Sequence, residues 1–235
     1  MIDVAVAYGF GNENRYNLDT IPPNIQLSLY KYDLYLKYRD ELTQNIIDSK
    51  TKVKVMHLPI DALRRDFDAT YQMIADGIVD FGCKYYVIHP NKNIGDFVNN
   101  FMSAKLNAIL CIENFQWRSK KEYRSPLYII ERCIQEQSPQ LRMTLDTSHS
   151  EEVWFDHRIM PYILKHTSVI HLSNRAKGIG DHMPFNDSRG SLNLMAFIND
   201  LKRIHRWNGT IVLEYMEQYK DKIMKNYEFL QRLVA

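Results

Sequence analysis

Six residues of metal-ligating type, His57, His89, Glu113, Asp146, His171 and Glu214, each close a short apolar run. Imidazoles and carboxylates hold divalent cations and move protons near neutral pH. Any one of the six has an ordinary explanation, such as a histidine hydrogen-bonded in a core or a carboxylate capping the next helix. The set asks for more. If the runs are neighbouring parallel strands, their carboxyl ends open on one face, and residues distant in sequence meet there. Three carboxylates at one mouth repel one another unless a cation or well-placed donors compensate them. A divalent metal meets that need. Mixed imidazole and carboxylate ligation suits Zn, Mn, Co or Fe better than Ca, while Mg prefers more oxygen. His149, three residues past Asp146, reaches the same small volume if Asp146 ends a strand and His149 lies on the loop beyond it.

The elements that must position these residues are visible as an alternation. Apolar runs rich in Val, Ile, Leu and Tyr at residues 2–7, 25–30, 52–57, 84–89, 108–113, 141–146, 168–172 and 210–214 read as eight strands. Amphipathic segments between them read as helices over 33–47 with Asp33 as N-cap, 66–81 closed by Gly82, 93 or 95 to about 105, 128–137, 157–165, 192–206 and 221–233. The stretches 114–126 and 173–190 read as long loops. Strand and helix in alternation predict an α/β chain, a (β/α)8 TIM barrel forming a single domain over residues 1–235. An open doubly wound sheet is the alternative, but no G-x-G-x-x-G follows the first strand and no G-x-x-x-x-G-K-[ST] occurs anywhere.

Composition narrows the class. Of 235 residues, 45% are hydrophobic and 25% charged, which is globular rather than disordered. The net charge of +2 is too small for a nucleic-acid-binding signature. Cys83, Cys111 and Cys133 are far apart, which argues against a disulfide framework or a zinc knuckle, and a reducing cytoplasm is expected. Cys111 should face the barrel interior as packing. No apolar run is long enough to span a bilayer, so no membrane partner is expected. His157, His166 and His205 fall on predicted helices and read as structural. Phe115, Trp117 and Arg118 with Lys120, Lys121 and Arg124 make an aromatic and basic loop after Glu113, suited to stacking a base or sugar ring.

The runs Val55-Met-His57-Leu-Pro, Val87-Ile-His89-Pro, Cys111-Ile-Glu113-Asn, Leu145-Asp146-Thr-Ser-His149, Ile170-His171-Leu-Ser-Asn, Gly180-Asp181-His182-Met-Pro and Val212-Leu-Glu214 occur in this order. This ordered set resembles the xylose isomerase-like TIM-barrel superfamily, which holds sugar isomerases and epimerases together with endonuclease IV-type apurinic/apyrimidinic endonucleases. By that resemblance Glu113, Asp146, His171 and Glu214 match the four ligands of one catalytic divalent metal, Mn, Co, Mg or Zn. Glu113 and Glu214 match the acid/base pair that removes and returns a proton beside a metal-polarised carbonyl. The implied partner is a small sugar or sugar phosphate. His149 would then hold a substrate hydroxyl, with Arg175, Lys177 and Trp117 as further substrate contacts.

The endonuclease branch implies instead up to three zinc ions and DNA as partner. His57, His89, His149, Asp181 and His182 would join the ligand set. Three departures place that reading second. Asp181 and His182 are adjacent where that branch spaces Asp and His by one residue, Ile60 stands where an aromatic probes the DNA stack, and one glycine, Gly190, remains of a glycine-rich run. A sugar-binding barrel without catalysis is a third reading, disfavoured because the ligand set is complete.

Overall fold

Eight strands close on one another in register. A computed structural model of the chain describes residues 1–10, 21–29, 32–59, 62–64, 67–114, 131 and 138–235. The strands are β1 (Ile2–Phe10), β2 (Asn24–Leu29), β3 (Lys52–His57), β4 (Tyr85–Ile88), β5 (Ile109–Glu113), β6 (Leu141–Asp146), β7 (Thr167–Leu172), β8 (Asn174–Ala176), β9 (Gly180–Met183) and β10 (Gly209–Leu213). All except β8 and β9 form one closed parallel barrel in the order β1-β10-β7-β6-β5-β4-β3-β2, sealed where β1 pairs with β10 from Ile2 opposite Gly209. The chain is a single (β/α)8 barrel, and the open-sheet alternative is ruled out by that last pairing.

The helices on the outside are α1 (Tyr32–Asp48), α2 (Phe67–Phe81), α3 (Ile94–Ala104), α4 (Met160–His166), α5 (Leu194–Arg203) and α6 (Lys220–Val234). Asp33 lies inside the first turn of α1 rather than at its N-cap, where it still favours the positive helix end. Gly82 ends α2 as expected. Its φ is 62°, and the Cys83 N–H donates to Gly77 O at 3.1 Å, a turn that glycine makes without strain. The helix expected from residue 157 begins at Met160, after a 3-10 turn over Glu152–Phe155 that lays Trp154 and Phe155 against the core. The helix expected over 128–137 and the aromatic and basic loop with Trp117 lie outside the described residues, except Glu131, which is helical.

The interior is layered by the strand period of two. Ala5, Ala7, Val55, Val87, Cys111, Val169 and Val212 pack as one cluster inside the barrel. Val55, Val87, Cys111, Val169 and Val212 each stand two residues before His57, His89, Glu113, His171 and Glu214, so the same inward face carries a polar residue one layer higher. Thr144 precedes Asp146 in the same way. The strands' other faces pack against the helices in the larger core. Cys111 is therefore packing, as expected, and both it and Cys83 are buried. Among the described residues no helix is long and apolar enough to cross a membrane.

The stretch 173–190, read from sequence as a loop, holds the antiparallel hairpin of β8 and β9. Three- and four-residue strands around Gly178 and Gly180, both at positive φ, are too short to show a period.

Helix α2 approaches the barrel through Gly77. A Cβ there would come within 2.1 Å of Met56 Sδ and 2.8 Å of the Tyr86 hydroxyl. That hydroxyl is pinned by donating to Ile74 O at 3.0 Å and Cys83 O at 3.2 Å, so the contact cannot relax freely. Gly77→Ala is therefore expected to cost about 1–3 kcal/mol in urea denaturation, despite the better helix propensity of alanine, with the circular dichroism spectrum unchanged.

Candidate metal centre

The closed barrel brings all six strand-end residues to its carboxyl mouth. His57, Glu113 and Asp146 are the last residues of β3, β5 and β6, His89 and Glu214 directly follow β4 and β10, and His171 is the penultimate residue of β7. Three overlapping groups converge there: His57, Glu113 and His171; Glu113, Asp146, His171 and Glu214; and Asp146, His149 and His182. Within each group the ligand atoms lie within 4.8 Å of one another. His89 Nε2 adds a further contact 3.1 Å from Glu113 Oε2.

Hydrogen bonds on the far side of each ring set what faces the centre. His171 Nε2 lies 2.9 Å from Gln26 Oε1, an acceptor, so that nitrogen carries the proton. His171 Nδ1 then turns toward Glu214 Oε2 at 2.8 Å and Glu113 Oε1 at 3.3 Å. Neither approach has hydrogen-bond alignment, and among the described residues that nitrogen has no hydrogen-bond partner. His57 is held in part in the same way: Nδ1 is hydrogen-bonded to Leu58 O at 2.8 Å, while Nε2, unlike His171 Nδ1, makes a hydrogen bond with Glu113 Oε2 at 3.1 Å. A ring nitrogen that faces a carboxylate requires positive charge there, either as a second proton on the ring or as a cation between the two groups. A tetrahedral cation with bonds of about 2.0–2.1 Å sets its ligand atoms roughly 3.3 Å apart, and His171 Nδ1 lies 2.8 and 3.3 Å from the two glutamates.

Asp146 is prepared from the other side. Its Oδ1 accepts from Ser148 Oγ at 2.8 Å and from the His149 backbone N–H at 3.1 Å, while Oδ2 is directed to His149 Nδ1 at 3.2 Å. Asn114 locks the strand ends together. Its Oδ1 accepts from the Asp146 N–H at 2.7 Å, and its Nδ2 donates to Asp146 O at 3.0 Å. The β8–β9 hairpin then folds His182 in, its ring centroid 5.0 Å from that of His149. His182 has a φ of 51°, an uncommon conformation for a non-glycine residue and one often found at functional positions.

The electrostatics favour positive charge between the carboxylates, on the His171 ring itself or beside it. Burial opposes charge on Glu113, but His171 and His89 hold its carboxyl well below the usual range. Burial opposes it on Glu214 too, and His171 pulls that carboxyl down to about 2. Burial likewise works against charge on His171, yet Glu214 and Glu113 hold it well above the ordinary imidazole value. Burial keeps His89 below its usual value despite Glu113, leaving it a neutral ligand. Two ionised carboxylates about 4 Å apart repel by about 4 kcal/mol at an effective dielectric of 20, so the site favours a cation. The donor set fits a divalent metal, which Glu113, Asp146, His171 and Glu214 could hold.

Other expected positions are less central. Asp181 is partly exposed and stands outside the convergent groups among the described residues. Arg175 lies on β8, its Nη1 donating to Ser148 O at 3.4 Å, and Lys177 is exposed beyond the strand. Sequence reasoning missed Gln26 and Asn114. The signal for Gln26 was the strict alternation Asn24, Gln26, Ser28 in a strand otherwise apolar.

No family model and no curated protein matches the chain. Solved structures do. The chain is similar to 3-keto-D-glucoside 4-epimerase from E. coli, with a TM-score of 0.67 at 12% identity, covering 99% of this chain and 100% of that one. It is also similar to a probable 3-DHS dehydratase from Bacillus anthracis, with a TM-score of 0.69 at 13% identity over 97% and 98%. A xylose isomerase-like TIM barrel protein from Mycobacterium smegmatis, solved in complex with magnesium, matches with a TM-score of 0.63 at 8% identity over 90% and 85%. The fold is that of the xylose isomerase-like TIM barrels. At these identities the likeness concerns the fold alone, and within a xylose isomerase-like barrel the chemistry must be argued from the side chains.

Gln26 is fully buried and makes no contact with the mouth's solvent, so its role is to fix the His171 ring. Gln26→Leu, close in volume, is expected to weaken Mn or Zn binding about 10- to 100-fold in a chelator-competition titration while the protein stays folded.

Proposed function

We propose that the chain is a divalent-metal-dependent isomerase or epimerase of a small sugar or sugar phosphate. The observation that carries this reading is the four-residue group of Glu113, Asp146, His171 and Glu214, in which two ionised glutamates from β5 and the end of β10 border one ligand volume. A cation held there would supply Lewis-acid polarisation of a substrate carbonyl. The glutamates act on the adjacent carbon, one taking the proton and the other returning it from the opposite face. Glu214, with 21% of its side chain exposed against 2% for Glu113, is the more open of the two to an entering substrate. His57 and His89 keep Glu113 oriented through Oε2. His149 is positioned to hold a hydroxyl, and Arg175, Lys177 and Trp117 are proposed to bind the remaining oxygens or the sugar face. The neighbouring E. coli epimerase supports the substrate class.

A second reading has its own observation. His57, His89, His149 and His182 exceed what a single four-ligand metal requires, and the group of Asp146, His149 and His182 can hold a cation of its own. Two or three zinc ions would suit hydrolysis of a phosphodiester, with abasic-site DNA as substrate. Elemental analysis separates the two: one exchangeable metal per chain supports the isomerase, and two or three zinc per chain support the hydrolase.

For the main reading, the metal-loaded protein is expected to incorporate solvent deuterium at the carbon beside the carbonyl of a ketose in a screen of ketohexoses, pentuloses and their phosphates. Glu214→Gln is expected to lower that exchange by at least about 100-fold with the melting temperature little changed. Near-normal exchange in that variant would remove the assignment.

A further inference from the structure

The opposite end of the barrel holds a second cavity. About 450 Å³ in volume, it is lined at the amino-terminal ends of β4, β6 and β7 by Tyr85, Arg142 and Ser168, and by Lys165 and Arg206 from the ends of α4 and α5. Its charge is of one sign. Among the described residues Arg142, Lys165 and Arg206 line it and no carboxylate does. Among the described residues none of the three is in an ion pair, and the nearby Asp3 is engaged by Lys54 at 3.1 Å.

Two features show that this is more than a solvated basic face. Arg142 pairs across the sheet with Cys111, whose side chain is in the barrel interior, so it occupies the inward face of β6, half-buried below Thr144. Its guanidinium reaches only Leu141 O, at 3.3 Å, among the described residues. A partly desolvated guanidinium with its fork unfilled is suited to accept a planar or tetrahedral oxyanion. Arg206 closes the turn after α5, where Trp207 N–H donates to Leu201 O at 2.9 Å and residue 206 has a φ of 47°. That position ordinarily belongs to glycine, and here a strained backbone holds a cation over the cavity. His166 beside the cavity is pushed below its usual value by burial and then by Lys165 and Arg142, a sign of local positive potential.

We infer that this lower cavity binds a phosphate-class dianion, held by Arg142, Lys165 and Arg206 on the face opposite the metal centre. Its volume accommodates a small phosphorylated metabolite as well as the free ion. The site is independent of the reaction at the upper mouth.

The test is calorimetric titration of the metal-loaded full chain with inorganic phosphate and, separately, with glycerol 3-phosphate, at ionic strength matched with chloride. Saturable binding is expected. Arg206→Gly relieves the backbone while removing the charge, so it should weaken binding about tenfold with the melting temperature unchanged or raised. Arg142→Lys should weaken it similarly by losing the two-pronged contact. A tighter monoester would identify a phosphorylated metabolite as the occupant, and equal affinities the free ion. Absence of saturable binding, or wild-type affinity in both variants, overturns the inference, since phosphate would then be unbound or bound at the metal centre.

Discussion

His171 offers one nitrogen to Gln26 and turns the other toward two glutamates. Because Gln26 Oε1 can only accept, Nε2 carries a proton, and Nδ1 is the nitrogen that faces the negative charge. That arrangement is stable only with positive charge at the point where His171, Glu113 and Glu214 meet. A second proton on the ring supplies it in part, and a divalent cation supplies it with the geometry of four ligands. The strands, the apolar layer beneath and the hydrogen bonds behind each ligand all serve to hold that point fixed.

The barrel separates the two tasks of packing and chemistry by parity. Along each of these inward faces a small apolar residue is followed two positions later by a histidine or glutamate, so Val55, Val87, Cys111, Val169 and Val212 form an apolar floor under the mouth. An apolar, buried floor lowers the local dielectric and strengthens each interaction above it. Asn114 ties β5 to β6 from behind, so Asp146 need not spend its own backbone groups on solvent. The β8–β9 hairpin supplies what the barrel strands cannot, a histidine reaching in from above.

The six strand-end residues were legible because each closes an apolar run, and parallel strands in a barrel have one possible meeting place for such ends. The helix stop at Gly82 was legible for a local reason, the left-handed turn. Other parts were not. His182 depends on a hairpin whose strands are too short to carry a period, so neither its register nor the position of Asp181 outside the cluster followed from spacing. Gln26 was hidden because a glutamine in a strand has no chemistry of its own; its meaning comes from His171, 145 residues away. Arg142 shows the same limit, since only the pairing with Cys111 reveals that it points inward.

The most direct measurement is the anomalous scattering of manganese in crystals of the protein grown or soaked with Mn²⁺. The expected result is a peak at the mouth within bonding distance of Glu113, Asp146, His171 and Glu214, with the His171 Nδ1 among its ligands. A peak elsewhere, or none at saturating metal while His171 keeps its bond to Gln26, would contradict the view that this mouth is built around a cation.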